Sequence, residues 1–189
     1  MGTRAFISVR IKAEDKGKTM RFDKAKLPKR HRVLFEDCIP QSVTLTDDYL
    51  TIYNHHDGGI DCAGSALVAD FNDYDTALNL MLMRYVASVA HEQLIPFGST
   101  TAEAVPPDCE PLPEIKEMCT AHIYKFEDGK WWHATRDWRS DKDPSLYKWQ
   151  AISMSRAKDY SPYVLSEKSI AWQQKYYDMA KARQKQQNK

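Results

Sequence analysis

Several signals that would assign a chemistry are missing from this chain of 189 residues. No run of about 18 apolar residues is present, so no membrane span is expected. The start, Met1-Gly2-Thr3-Arg4, leads into an alternating stretch, without the charged stub and apolar core of a secretory signal. Gly2 alone makes no myristoylation site, because Phe6 stands where Ser or Thr is needed. Cysteine is sparse: Cys38, Cys62, Cys109 and Cys119 form no C-x-x-C pair and no zinc-ribbon or disulfide spacing. That pattern predicts reduced thiols and a cytoplasmic setting. An excess of either charge is missing too, with 27 basic against 26 acidic residues and a formal net charge of +1. Such a balance excludes a general polyanion binder, and nucleic acid is not an expected partner. H-E-x-x-H and G-x-S-x-G are absent, which removes the commonest zinc-hydrolase and serine-hydrolase signatures. No internal repeat or low-complexity tract is visible.

What is present is the pattern of a folded domain, with a hydrophobic fraction of 42%. Residues 4–13 alternate, Ala5, Ile7, Val9 and Ile11 against Phe6, Ser8, Arg10 and Lys12, which predicts a half-buried strand. A polar turn with Gly17 follows, and Thr19 to Asp23 reads as a short strand pairing back. The basic run Lys24 to Arg32, broken by Pro28, reads as a solvated loop. Ser42–Thr46 and Tyr49–Tyr53 flank Asp47-Asp48 and predict a hairpin. A short helix is predicted around Ala63 to Phe71, with Asn72 or Asp73 capping a longer one over 74–92. The five prolines Pro96, Pro106, Pro107, Pro111 and Pro113 mark an irregular loop over 96–113. Asp128-Gly129 between Ala121–Phe126 and Lys130–Thr135 is a strong hairpin signal. Residues 138–160 carry no clear period, and Ser166 to Ala182 fits a helix. The order predicts an α+β fold, an antiparallel sheet with helices packed on one face. It forms one domain over 1–182, with the proline loop near 105 as a possible internal boundary and 183–189 as a flexible tail.

The stretch that carries chemistry is Tyr53-Asn54-His55-His56-Asp57-Gly58-Gly59, where a strand runs into a helix. Tyr53, His55, His56, Asp57, Gly58 and Gly59 are the candidate ligand-binding residues. Two glycines permit positive φ, and the following helix start offers backbone N–H groups to an anion such as phosphate, with His55 or His56 as partners. The competing reading is ordinary turn chemistry, Asp57 bonding its own bend. A metal reading needs His55 and Asp57 plus a third ligand from His56, Asp61, Cys62 or His91. No motif spacing supports it, and no metal or cofactor is expected. Cys62 beside a helix start is a conceivable nucleophile with His55, against the simpler reading of a small buried thiol. Trp131 and Trp132 on one strand point to opposite faces, so either one packs inward and the other is exposed, or both are covered by the last helix.

Met1-Gly2-Thr3-Arg4, Ile52-Tyr53-Asn54-His55-His56-Asp57-Gly58, and then Gly64 and Leu67 resemble a family of small uncharacterised phage and mobile-element proteins. These begin with a Met-Gly-Thr/Ser-Arg strand and carry a later strand ending in Ile-Tyr-x-His-Trp-Asp-Gly-Tyr-Pro. The resemblance covers residues 1–85. His56, Gly59 and Ile60 depart from it, standing where the family has Trp, Tyr and Pro. It implies a phage-encoded accessory protein in the host cytoplasm, acting by binding. Such a protein would sequester a nucleotide-type host signal or block a host defence factor, so its partner is a small nucleotide-type ligand or a host protein. The alternative is a small enzyme on a phosphorylated or nucleotide substrate, with His55 as acid/base and Asp57 as orienter. The sequence fixes no oligomeric state.

Overall fold

The computed structural model describes residues 3–96, 120–135 and 148–187. Its centre is β1 (Arg4–Arg10), which pairs antiparallel with β5 (Tyr49–Asn54) and parallel with β8 (Thr120–Glu127). β8 continues through a hairpin into β9 (Lys130–Thr135), β10 (Gln150–Ala151) closes that edge, and β6 (Tyr85–Val86) lies parallel to the end of β5. The order is β10-β9-β8-β1-β5-β6. With α1 (Ser65–Asp70), α2 (Tyr74–Met81) and α3 (Glu167–Gln187), this is an α+β fold on a mixed sheet. The two parallel pairs are invisible in the residue pattern. The stretch between Pro96 and Thr120 exceeds the roughly dozen residues a parallel crossover needs.

Alternation along β1 sends Ala5, Ile7 and Val9 to the helix-covered face. There they meet Leu50 and Ile52 of β5, Tyr124 and Phe126 of β8, Trp131 of β9, and Leu67, Phe71, Leu78 and Met81 from the helical segment. The expected half-burial is exceeded, because the other face is covered as well. Phe6 is 1% exposed in a second cluster with Tyr53 and Ile123, and Ser8 bonds Thr51 at 2.8 Å in the interior.

Two predicted elements differ. The Asp47-Asp48 hairpin does not form: β4 (Val43–Thr44) pairs with β2 (Thr19–Met20), and β5 gives its edge to β1. A two-residue hairpin turn of the commonest type needs positive φ at both centres. Asp128 and Gly129 adopt it, at φ 54 and 73, whereas neither Asp47 nor Asp48 has positive φ. The second difference is the helix over 74–92, which stops at Met81. Arg84 at φ 67 turns the chain, β6 follows, and β7 (Gln93–Leu94) pairs with β3 (Arg32–Val33). Met83, Val86, Val89 and Ala90 are all buried. A largely buried extended segment mimics helical spacing, because its many apolar positions, Met83, Tyr85, Val86, Val89 and Ala90 among them, include ones three and four apart.

The strand expected over Thr19 to Asp23 shortens to β2 and lies against β4, not back on β1, whereas several local expectations hold. A π-turn over Ile60–Gly64 feeds α1, and the Asp73 carboxylate caps α2 by accepting from Thr76 N at 2.9 Å. Of the paired tryptophans, Trp131 is buried and Trp132 is half-buried on the other face. α3 continues beyond Ala182 to Gln187 and is anchored by Tyr177 stacked on Phe35 at 4.7 Å and by a Lys181–Asp37 pair. Among the described residues, no helix is long and apolar enough to cross a membrane. The boundary near 105, most of the proline loop, Cys109, Cys119, Trp138 and Tyr147 lie outside the described residues.

Candidate functional site

β5 ends on Asn54, which is fully buried and holds the chain beyond it. Its Oδ1 accepts from Val89 N at 2.8 Å, and its Nδ2 donates to the His56 carbonyl at 2.5 Å. His55 N and His56 N donate to the carbonyls of Val86 and Ala87, at 3.1 and 2.8 Å. The turn is thereby tied to the 85–96 segment. Asn54→Ala leaves a buried N–H and a carbonyl without their partner and should cost about 2–3 kcal/mol. Faster amide exchange at Val89, with exchange in β1 little changed, is the expected reading.

The glycines act differently from expectation. Positive φ falls on Asp57, at 56°, and on neither Gly58 nor Gly59. Gly58 instead allows close approach. A Cβ there would sit 2.6 Å from the Arg4 carbonyl carbon and 2.8 Å from Ala5 N and Cβ. Gly58 N donates to Thr3 O, and Gly58 O accepts from the Tyr124 hydroxyl, both at 2.7 Å. The turn therefore rests directly on the start of β1. The helix-start anion site is not formed as expected. Cys62 N and Gly64 N donate to the Gly59 carbonyl and Ala63 N to that of Asp57, so these N–H groups close the turn itself.

The six candidate side chains and glycines separate. Tyr53 is 1% exposed and packs against Phe6 and Tyr85, with ring centroids 5.5 and 4.9 Å away. His55 is half-buried, edge-on to His56 at 4.3 Å. Burial first, then His56 and Arg4, hold its imidazole below the usual histidine range. His56 is exposed. Asp57 reaches across the turn, its Oδ2 3.1 Å from His91 Nε2. Burial lowers the His91 pKa, and the Asp57 carboxylate partly opposes that. The His91 ring stands edge-on to Tyr163 at 6.0 Å, and the Tyr163 hydroxyl lies 3.9 Å from Cys62 Sγ. Among the described residues no three of His, Cys, Asp and Glu converge as a metal cage.

His56 and His91 form one wall of a groove of about 370 Å³. Ala87, Ile95 and Leu165 make an apolar floor, and Lys168, Ser169, Trp172 and Gln173 of α3 face the imidazoles. Leu165 N donates to the buried Gln93 side chain at 3.0 Å, and Tyr163 exchanges backbone bonds with Ala90 and Glu92, fixing the approach to α3 beside His91. Lys168 and Trp172 were not legible as site residues. Trp172 sits at helical spacing and reads as an inward face, yet it is 58% exposed.

A larger depression, about 660 Å³, opens at the other end of β1 around Arg10, Lys12 and Lys16. Its cations are engaged: Arg10 with Glu127, Lys16 with Asp48, and Lys12 over the Tyr74 ring. Part of the basic run of residues 24–32 is similarly occupied. Lys24 pairs with Glu36, Arg30 with Asp70, and buried His31 bridges Asp70 at 2.8 Å and the His91 carbonyl at 3.0 Å.

The β8–β9 hairpin brings together a pair the sequence reading did not single out. His122 Nδ1 lies 2.9 Å from His133 Nε2, with the rings nearly parallel beside Tyr124. Burial first, then His122 and Arg156, push the His133 pKa down to about 4. A base with a depressed pKa is neutral in the fold and gains a proton on unfolding, so the unfolded chain binds more protons between about pH 6.5 and pH 4. Stability should therefore fall as pH drops through that window, by on the order of 2 kcal/mol. Urea midpoints at pH 7 and pH 4.5 test this, and His133→Gln should flatten the slope.

No family model matches the chain, and neither a curated protein nor a solved structure matches it. The fold and site define an α+β domain with a small imidazole-walled groove.

Proposed function

We propose that this protein acts by binding a small anionic ligand of nucleotide type in the groove between the β5 turn and the first turns of α3. The observation that carries the reading is the lining: two imidazoles and a lysine beside an exposed tryptophan, over an apolar floor. A planar ring stacks on Trp172, and a phosphate takes hydrogen bonds from His56, Lys168 and Ser169. Sites of this size, mostly apolar with a few convergent polar groups, suit ligands of that class. In the setting implied by the Met-Gly-Thr-Arg and His-x-Asp-Gly resemblance, the protein is a phage or mobile-element accessory factor that sequesters a host nucleotide signal. Blocking a host defence protein through the same surface is the other form of that reading.

A second reading has its own observation. The Asp57 carboxylate orients the His91 imidazole at 3.1 Å, an arrangement a general base requires. It makes the protein a small enzyme on the same class of ligand, with His91 replacing His55 in the acid/base role. Calorimetric titration with mono- and dinucleotides separates the two. Saturable binding with the nucleotide recovered intact supports sequestration, and turnover abolished by Asp57→Asn supports the enzyme. Trp172→Ala should weaken binding about five- to 150-fold, since stacking is worth about 1–3 kcal/mol. Binding indifferent to Trp172 and Lys168, or no nucleotide binding at all, rules the groove out.

A further inference from the structure

We propose that His122 and His133 form a two-imidazole chelate for a borderline-soft divalent cation, Zn²⁺ or Ni²⁺, away from the groove. The register of the hairpin makes the site. Cross-strand pairing of His122 with Thr135 and of Tyr124 with His133 puts the two histidines on one face, one step apart on neighbouring strands. The Asp128-Gly129 turn fixes that register, so the pair is positioned without any reorganisation of the backbone.

The distance fits. Two imidazole nitrogens on a tetrahedral Zn²⁺, each about 2.0–2.1 Å from the metal, lie about 3.3 Å apart. His122 Nδ1 and His133 Nε2 are 2.9 Å apart, so the rings separate by about 0.4 Å and turn so that both lone pairs converge on the ion. In the present arrangement one ring donates an N–H hydrogen bond to the other. The metal takes that proton's place: the donor ring switches tautomer, the proton lost at its bridging nitrogen being regained through solvent at its other nitrogen, so both rings stay neutral and both bridging nitrogens present a lone pair. Imidazole favours Zn²⁺, Ni²⁺ and Cu²⁺ over Mg²⁺ and Ca²⁺, which take oxygen.

The surroundings do not compete. The Tyr124 hydroxyl beside the pair is already given to the Gly58 carbonyl. Arg156, the cation that bears on His133, is paired with Asp61, which offsets its repulsion of a second positive charge. Two protein ligands leave the remaining coordination positions to water, so the ion binds openly and exchangeably. Its affinity is that of a chelating pair, below that of a closed structural site.

The test uses the full chain, stripped with chelator and titrated with ZnCl₂, NiCl₂ or MgCl₂. One Zn²⁺ or Ni²⁺ per chain is expected, with a Tm rise of about 5 °C or more at metal concentrations near 100 times Kd and none with Mg²⁺. His122→Gln, at a half-exposed position, should weaken binding at least tenfold, whereas His56→Ala should leave it unchanged. In the unmodified chain, Zn²⁺ should move the imidazole NMR signals of His122 and His133 alone among the six histidines. No binding, binding lost in His56→Ala, or ring signals shifting at His55 and His56 instead would overturn the proposal.

Discussion

Gly58→Ala should destabilise the protein by about 3 kcal/mol or more, a Tm loss of about 6–12 °C for a chain of this size. The new methyl would sit 2.6 Å from the Arg4 carbonyl carbon and 2.8 Å from Ala5 N, and backbone atoms in the central strand cannot rotate aside. Relief requires lifting the turn off β1, which breaks Gly58 N to Thr3 O and the Tyr124 hydroxyl to Gly58 O together. The adjacent glycine is the control. A Cβ on Gly59 meets nothing within 4 Å and its φ is −66°, so Gly59→Ala should be neutral or slightly stabilising. Thermal melts of the two variants decide the matter, and equal stability would mean that the turn does not rest on β1. Nucleotide binding to Gly58→Ala should also weaken, because His56 and Asp57 move with the turn.

Trp131→Ala should cost about 3–5 kcal/mol, read as a shift of the urea midpoint. Trp131 is 2% exposed, packs edge-on against Phe126 at 5.3 Å, and donates its indole N–H to the Phe71 carbonyl at 2.8 Å. Phe71 is the residue at which α1 ends, so the indole satisfies a carbonyl of the last turn as well as filling the core. Trp131→Phe separates the two contributions. It keeps most of the packing and loses the hydrogen bond, at about 1–2 kcal/mol. Trp132→Ala, on the half-buried face, should cost less than either.

The sequence was most legible where local chemistry decides the structure. Alternation located β1, Asp128-Gly129 located the β8–β9 hairpin, and the Asn72-Asp73 break located the start of α2. It was least legible where long-range pairing decides. The parallel placement of β8 beside β1 depends on a crossover, and Asp47-Asp48 resembles a turn until β1 claims β5. In the site, Asp57 and His91 were each named as candidate ligands, but nothing local pairs a turn residue with one in a later segment. Two adjacent glycines suggest freedom of φ, whereas Gly58 is needed for its missing side chain. The His122–His133 pair was within reach. Once the hairpin register is set by the turn, their shared face follows by counting.

The 85–96 segment is gripped from two directions. Asn54 holds it at Val89, and His31, itself fastened to Asp70, holds the His91 carbonyl. One bank of the groove is therefore held in place, and if the proposed ligand binds there the entropic toll of capture would fall on the opposite bank, on the side chains of Lys168 and Trp172. Affinity should then be improved most readily by stiffening the helix, and least by adding contacts to the imidazoles.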